Sequence, residues 1–403
     1  MMYRLYCRSY QGVMKIASYV LPWREPQLLE GENSLIKLPK LIKDKKIESV
    51  LIITDKGIVA VGLMDTLLEE LHNEGIQFVV YDKTVPNTPI ANIEAAARLY
   101  KDNNCQGIIA FGGGSSIDCA KIAGARIVRP NKSIPQMKGV LKILKRLPPL
   151  FAVPTTAGTG AEATLAAVCS NPNTYEKFPL MDTSPIPHYA VLDPLLTVKL
   201  PPHITAATGM DALTHAVEAF IGRSNTKETK QWSIDAIKLI FENLYEAYTN
   251  GHNIIARKHM QKAAYLAGMA FTRAYVGYVH AIAHTLGGFY NIPHGLANAI
   301  ILPHVLDYYG ATVHTQLAQL ADLVKITKPT DTNEQKAKKF IQAIRDLNDR
   351  MGIPRRVNGI DDRDIPVMVN RALQEGNPLY PVPKILFKED MLLLFEKIKA
   401  SSI

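Results

Sequence analysis

The apolar residues in the first half of the chain come in short unbroken runs. Residues 50–54, 77–81, 107–111 and 150–153 are four or five residues long and rich in Val, Ile and Phe, which predicts buried strands. Between them, 58–74, 91–104 and 116–127 carry apolar positions at helical spacing. The stretch therefore reads as βαβ units building a parallel sheet, with helices on both faces. Residues 37–46, KLPKLIKDKK, set leucine and isoleucine at helical spacing among lysines, the pattern of a solvated amphipathic helix. From Met14, MKIASYVLPW reads as the start of a first strand. Met14 is an alternative start that would make residues 1–13 an extension to the native chain.

The pattern changes at Pro201-Pro202. From there helix follows helix: 205–221, 228–248, 254–272, 276–287, 294–309, 314–326, 333–351, 362–374 and 389–399. The expected architecture is an α/β domain over residues 1–202 with a Rossmann-like parallel sheet, then an all-helical domain over 203–403. The cleft between the two is the expected site.

Composition narrows the function classes. The chain has 403 residues, 47% hydrophobic and 21% charged, as in ordinary globular proteins. Its net charge of +9 is scattered and accompanied by no nucleic-acid-binding motif, so no nucleic-acid partner is expected. No apolar run approaches the ~20 residues that span a bilayer, so no membrane partner is expected. Cys7, Cys105, Cys119 and Cys169 form no CxxC pair, and residues 1–13 lack the apolar core of a signal peptide. Free buried thiols in a reducing, cytoplasmic setting are the expectation.

Two sets of residues carry chemistry. Strand 107–111 runs into Gly112-Gly113-Gly114-Ser115 and then a helix beginning near residue 116. Glycines between a strand and a helix let the backbone approach a pyrophosphate and point free N–H groups at it. The fingerprint GxGxxG is absent, and a plain turn remains an alternative reading. Asp55 ends the strand 50–54, where a carboxylate accepts hydrogen bonds from a ribose diol and repels a 2′-phosphate, favouring NAD over NADP; the bland reading is a helix cap. VPTTAGTG, 153–160, is a second hydroxyl-rich turn after a strand.

The second set is polar residues on apolar helices. GMDALTHAVEAF places Asp211 and His215 one turn apart on one face. YVHAIAHTLGGFYNIPHGLANAI adds His280 and His284, also four apart, on a helix expected to end at Gly287-Gly288, and His294 at the start of the next. Three histidines within 15 residues of apolar sequence need partners, and a shared metal satisfies several together. One carboxylate with imidazoles suits Fe(II) or Zn(II). His203 and His304 lack such company and read as surface or structural residues.

GGGSSID, PTTAGTGAE, VLDP followed by LP, ATGMDALTHAVEAF and VHAIAHTLGGFYNIPHGLANAI together resemble the iron-containing (group III) alcohol dehydrogenases, in the right order from about residue 20 onward. The resemblance implies a dehydroquinate synthase-like architecture and an oxidoreductase that moves hydride between NAD(H) and a small primary alcohol or diol and its aldehyde. It implies Fe²⁺ (Zn²⁺ being possible) on Asp211, His215, His280 and His294, and cofactor contacts at Asp55, Asn87, Gly113, Gly114, Ser115, Thr155, Thr156, Thr159 and Lys177. His284 maps onto a histidine that handles substrate or protons without binding metal. A homodimer or larger homo-oligomer is the usual assembly. Ala161 stands where many members have serine, and GNPLYPVPK near the C-terminus is not the commonest ending. Three alternatives share these motifs: glycerol-dehydrogenase-like polyol oxidation, a dehydroquinate-synthase-like lyase, and a redox-silent metal- and nucleotide-binding protein.

Overall fold

The computed structural model describes residues 2–400, which divide into two compact units. The α/β unit comprises Pro22–Leu200 and Gly251–Tyr265. Its strands are β1 (Gln27–Glu30), β2 (Ser49–Ile53), β3 (Gln77–Tyr81), β4 (Gly107–Gly112), β5 (Gly139–Val140), β6 (Leu150–Pro154), β7 (Ala166–Asn171), β8 (Glu176–Met181) and β9 (Tyr189–Leu192). The main sheet has the order β1-β9-β6-β4-β2-β3, with every pair parallel. The helices are α1 (Met2–Val20), α2 (Leu38–Asp44), α3 (Lys56–Ala60), α4 (Asp65–Asn73), α5 (Ile90–Asp102) and α6 (Gly114–Val128), followed by α7 to α15 described below.

The unbroken apolar strands follow from two cores, one on each face. Leu51, Ile53, Ile108, Ala110, Leu150 and Ala152 pack with α5 and α6 residues. Their neighbours Val50, Ile52, Ile109, Phe111, Phe151 and Val153 pack with residues of α2 and α4. Alternate residues thus bury on opposite sides, so no position along these strands is left for a polar residue.

At three places the structure departs from or adds to the local expectations. The segment 58–74 is two helices, α3 and α4, because Gly62 turns the chain at φ +64° between them. The four-residue β1 and β9 carry too little pattern to stand out. A second, three-stranded sheet, β5-β8-β7, carries an antiparallel β7–β8 hairpin within what otherwise reads as irregular chain.

The helical unit comprises residues up to Leu21, then Pro201–Asn250 and everything from Leu266 onward. It holds α1, α7 (Pro202–Ile221), α8 (Lys227–Thr249), the later turns of α9 (Ile254–Ala274), α10 (Tyr278–Tyr290), α11 (His294–Tyr309), α12 (His314–Leu323), α13 (Asn333–Arg350), α14 (Ile365–Gly376) and α15 (Lys388–Ile398). The division of the chain at 202/203 needs two corrections. Residues 251–265 group with the α/β unit, where Gln261 donates to the carbonyl of Asp193 at 3.2 Å. The N-terminal residues group with the helical unit, and the segment after Met14 is helix rather than strand. The reason is long-range. Gln11 donates to the carbonyls of Tyr380 (2.7 Å) and Pro378 (3.1 Å), and Arg8 to those of Val382 (2.7 Å) and Pro383 (2.9 Å). Side-chain amide and guanidinium donors satisfy a loop without ladder bonds of its own, from some 370 positions away. Residues 1–13 therefore carry anchors for the unusual GNPLYPVPK segment.

Candidate metal and nucleotide sites

In the helical unit, α7 presents Asp211, His215 and Glu218 at i, i+4 and i+7, one buried face of a helix. α10 supplies His280 and His284, and α11 opens with His294. α10 does not end at Gly287-Gly288. Both glycines stay helical, and the stop is Asn291 in the left-handed conformation (φ 53°), where the short polar side chain of Asn is tolerated. Gly295 then lets α11 approach α7, since a Cβ there would lie 2.4 Å from the carbonyl oxygen of Ala207.

One potential ligand atom from each of Asp211, His215, His280 and His294 lies within 4.8 Å of the others. Bonds of ~2.1 Å to a shared ion require such convergence. Burial dominates the electrostatics. It pushes His215 down to about 3, against the opposing pull of Asp211, so the ring is neutral and able to bind metal. His215 stacks on Phe271 with ring centroids 4.2 Å apart, and its buried Nδ1 has no hydrogen-bond partner. A neutral buried ring beside a carboxylate and two further imidazoles is a donor set that fits a divalent cation.

Three further residues complete this site, and none stood out in the sequence. Glu218 Oε2 accepts from Gly277 N–H (2.8 Å) and meets His280 Nδ1 at 2.6 Å, while Oε1 accepts from Val279 N–H (2.9 Å). This fixes the His280 ring and turns its Nε2 toward Asn298 and the other candidate ligands. Burial pushes the Glu218 carboxyl up to about 7, although these donors pull the other way. Asn298 Nδ2 donates to Asp211 Oδ1 at 2.6 Å and lies 3.1 Å from His280 Nε2. Glu375 Oε1 meets His284 Nδ1 at 2.7 Å and accepts from Tyr380 O–H at 2.8 Å. Helical spacing from Asp211 and His294 is a local signal for Glu218 and Asn298. Glu375, 91 residues from His284, has none.

In the α/β unit, the chain leaves β2 for β3 on one side and returns to place β4 on the other. The carboxyl ends of β2 and β4 thus flank a topological switch point, where open parallel sheets bind ligands. Asp55 follows β2. Its Oδ1 accepts from Ile58 N–H at 3.0 Å as the N-cap of α3, so the bland reading is realised, and its Oδ2 faces the Gly112 end of β4. Gly113 and Gly114 open α6, whose N-terminal N–H groups and dipole suit a phosphate. The 153–160 turn lies against them: Thr155 N–H donates to Gly112 O at 3.0 Å, and Cβ atoms at Gly113 and Gly114 would meet Thr156 and Thr159 at 3.3 and 2.6 Å. Thr88 donates to Ser115 O at 3.1 Å, and Lys177 donates to Asn87 Oδ1 at 2.9 Å. The nine candidate cofactor residues thus lie on loops, on the first turn of α6 (Gly114, Ser115) and on β8 (Lys177), joined by hydrogen bonds or packing. Cys119 and Lys121, behind them on α6, are structural. Burial pushes the Cys119 thiol up to about 12, and Lys121 is wholly buried, donating to Thr164 O (2.7 Å) and Ala166 O (2.9 Å).

Family models match both units: iron-containing alcohol dehydrogenase over residues 26–194 and the C-terminal region of that family over 205–399. The chain belongs to the iron-containing alcohol dehydrogenase family. It is 38% identical over 369 residues to "Alcohol dehydrogenase 4" of Saccharomyces cerevisiae strain YJM789, covering 91% of this chain and 95% of that one. A crystal structure of 1,3-propanediol oxidoreductase superposes with TM-score 0.88 and 35% identity, covering 94% of this chain and all of that one. Sulfoacetaldehyde reductase from Bifidobacterium kashiwanohense, solved in complex with NAD⁺, superposes with TM-score 0.82 and 26% identity over 95% of this chain and all of that one.

Proposed function

We propose that this chain is a metal-dependent, NAD-linked dehydrogenase that interconverts a small primary alcohol or diol with its aldehyde. The supporting observation is the convergence of Asp211, His215, His280 and His294 in a member of this family. These four residues hold one divalent ion, Fe²⁺ by the family's chemistry, with Zn²⁺ also compatible with an N/O ligand set. Bound ion and cofactor supply Lewis acidity toward an alcohol or carbonyl oxygen and a nicotinamide that takes or gives hydride.

The chain's own residues do the rest. Glu218 orients His280, and Asn298 holds Asp211. His284 gives Nδ1–H to Glu375, which leaves Nε2 to accept and release the substrate proton. Gly113, Gly114 and Ser115 offer backbone N–H groups to the pyrophosphate, with Asn87, Thr155, Thr156, Thr159 and Lys177 around it. Asp55 accepts from the ribose hydroxyls and sets NAD over NADP. We place the enzyme in the cytoplasm, since all four cysteines are free and buried, and we assign it a homodimer or larger homo-oligomer on the family's habit.

A panel of alcohols and aldehydes that includes 1,3-propanediol, run with NAD(H) on enzyme loaded anaerobically with Fe(II) or Zn(II), tests this reading. NADH formation with at least one primary alcohol, dependent on metal, is expected. Tight metal and NAD binding with no hydride transfer to any member of the panel would leave only a binding protein.

A further inference from the structure

The segment Asn377 to Lys384, NPLYPVPK, holds prolines at 378, 381 and 383, positions with no N–H to give. Its two ends are held from α10. Tyr278 O–H donates to Asn377 Oδ1 at 2.7 Å, and the same hydroxyl accepts from Leu386 N–H at 3.0 Å. Its middle is held mainly from α1. Gln11 Nε2 donates to the carbonyls of Pro378 and Tyr380, and the Arg8 guanidinium to those of Val382 and Pro383. Arg8 also donates to Gln11 Oε1 at 2.8 Å, so the two donors brace each other one helical step apart. Between them, the Pro381 carbonyl accepts from Arg223 N–H at 2.7 Å.

What this loop carries is Tyr380, which is buried. Its hydroxyl donates to Glu375 Oε1 at 2.8 Å, the same oxygen that meets His284 Nδ1 at 2.7 Å. Glu375 lies in the last turn of α14, and its side chain is 15% exposed. A glutamate there has three side-chain torsions and water within reach, so a single bond to an imidazole leaves it able to turn away. The Tyr380 hydroxyl removes that freedom, and the place of Tyr380 is set by a loop that α1 supports. A carboxylate held on Nδ1–H fixes both the tautomer and the orientation of a histidine ring. We propose, resting on the dehydrogenase reading of His284, that Arg8 and Gln11 are positioning residues for it: through the 378–383 loop and Tyr380 they keep the Glu375 carboxylate on His284 Nδ1. The segment before Met14 is then part of the working enzyme and not an extension to it.

Nuclear magnetic resonance of the full-length, zinc-loaded protein with isotope-labelled histidine tests this without turnover. The His284 signals are those absent from His284→Ala. In the parent, Nδ1 should carry the ring proton and Nε2 none, and Nδ1–H should exchange slowly with water. Tyr380→Phe, which removes one oxygen, and Arg8→Met/Gln11→Met should each speed that exchange by about 10-fold with zinc content unchanged. Gln11→Met alone should give a smaller change in the same direction, and it carries the test if the double variant does not fold. On iron-loaded enzyme, Tyr380→Phe and the double variant should lower kcat roughly tenfold while the KM values for alcohol and NAD hold, since only orientation at the reacting proton is lost. Unchanged exchange in Tyr380→Phe overturns the proposal. So does unchanged exchange in every α1 variant that folds, which would mean that Tyr278 holds the loop by itself. Loss of zinc alongside faster exchange overturns it too, because α1 would then support the whole site and not His284. A parent that transfers no hydride to any alcohol would strike the dehydrogenase reading instead, and the exchange rates would still decide whether Arg8 and Gln11 position the ring.

Discussion

The two candidate sites are made from opposite materials. The helical unit gathers four side chains from three helices, with each candidate ligand either engaged by another side chain or stacked on one: Glu218 on His280, Asn298 on Asp211 and His294, Phe271 on His215. The α/β unit offers mainly backbone, in turns that glycine and threonine shape, and its one carboxylate doubles as a helix cap. A side-chain site fails when a single ligand is lost. A backbone site fails when the turn is filled or displaced, and grades more gently. Substitutions that ignore this division would break the comparison.

The largest effect belongs to a ligand. Asp211→Ala should empty the metal site and lower kcat/KM by at least ~10³-fold, read by metal analysis and NADH absorbance. Full metal content with that activity would mean that Asp211 is not a ligand. His284→Ala should cut kcat by roughly 10²-fold with metal content intact, because it removes proton transfer and not a ligand. Unchanged turnover, or loss of metal, would reassign it.

Glu218→Gln probes the support beneath the site, with an expected ~10–100-fold loss of metal affinity by competition with a chelator. The pH dependence has a definite sign. Glu218 titrates near 7 in the metal-free fold against 4.5 as its ordinary value, so between those values the fold holds an extra proton. That contribution to stability is complete below pH 4.5 and is lost as pH rises through 7. Metal on His280 Nε2 leaves Nδ1–H to donate to an ionised Glu218, so binding expels this proton. Metal affinity should therefore rise about tenfold per pH unit up to 7 and then flatten. The variant should lack that slope.

What the sequence reveals follows the same division. A carboxylate and histidines on otherwise apolar helices are conspicuous because burial makes them costly without partners, and outer helices such as α13 and α14 carry strong 3.6-residue patterns. Four-residue β1 and β9 give the pattern too few positions to register, and β7 and β8, six residues each, mix Ala, Ser, Asn, Glu, Lys and Pro into what would otherwise be an apolar run. Glu375 and the Gln11–Tyr380 contact are legible only in three dimensions, because each is a single polar pair made across 91 and 369 positions of chain. Asp55 shows a different limit, since its residue type satisfies a cap and a ribose equally well.

Gly114→Ala separates backbone from side-chain chemistry in the α/β unit. The new Cβ would sit 2.6 Å from Thr159 Cγ2 and 2.8 Å from its Oγ1, and threonine is too short to swing clear. Overpacking of ~1–3 kcal/mol should weaken NAD binding by about 10- to 100-fold while metal content holds. Wild-type NAD affinity would place the pyrophosphate elsewhere.

The smallest effect is at Asp55, and it needs two variants because the residue has two partners. Asp55→Gly removes both the cap on Ile58 N–H and the carboxylate near Gly112, so it should cost stability as well as cofactor preference; a lost cap is ~1 kcal/mol when alanine replaces it and less with glycine. Asp55→Asn keeps an oxygen to accept from Ile58 N–H and removes the charge. If the carboxylate selects NAD, both variants should narrow the NAD/NADP ratio, each by roughly tenfold, the worth of a single exposed charge interaction of ~1 kcal/mol or slightly more. If Asp55 only caps α3, the asparagine variant should match the parent in both melting temperature and cofactor ratio, and the glycine variant should shift melting alone.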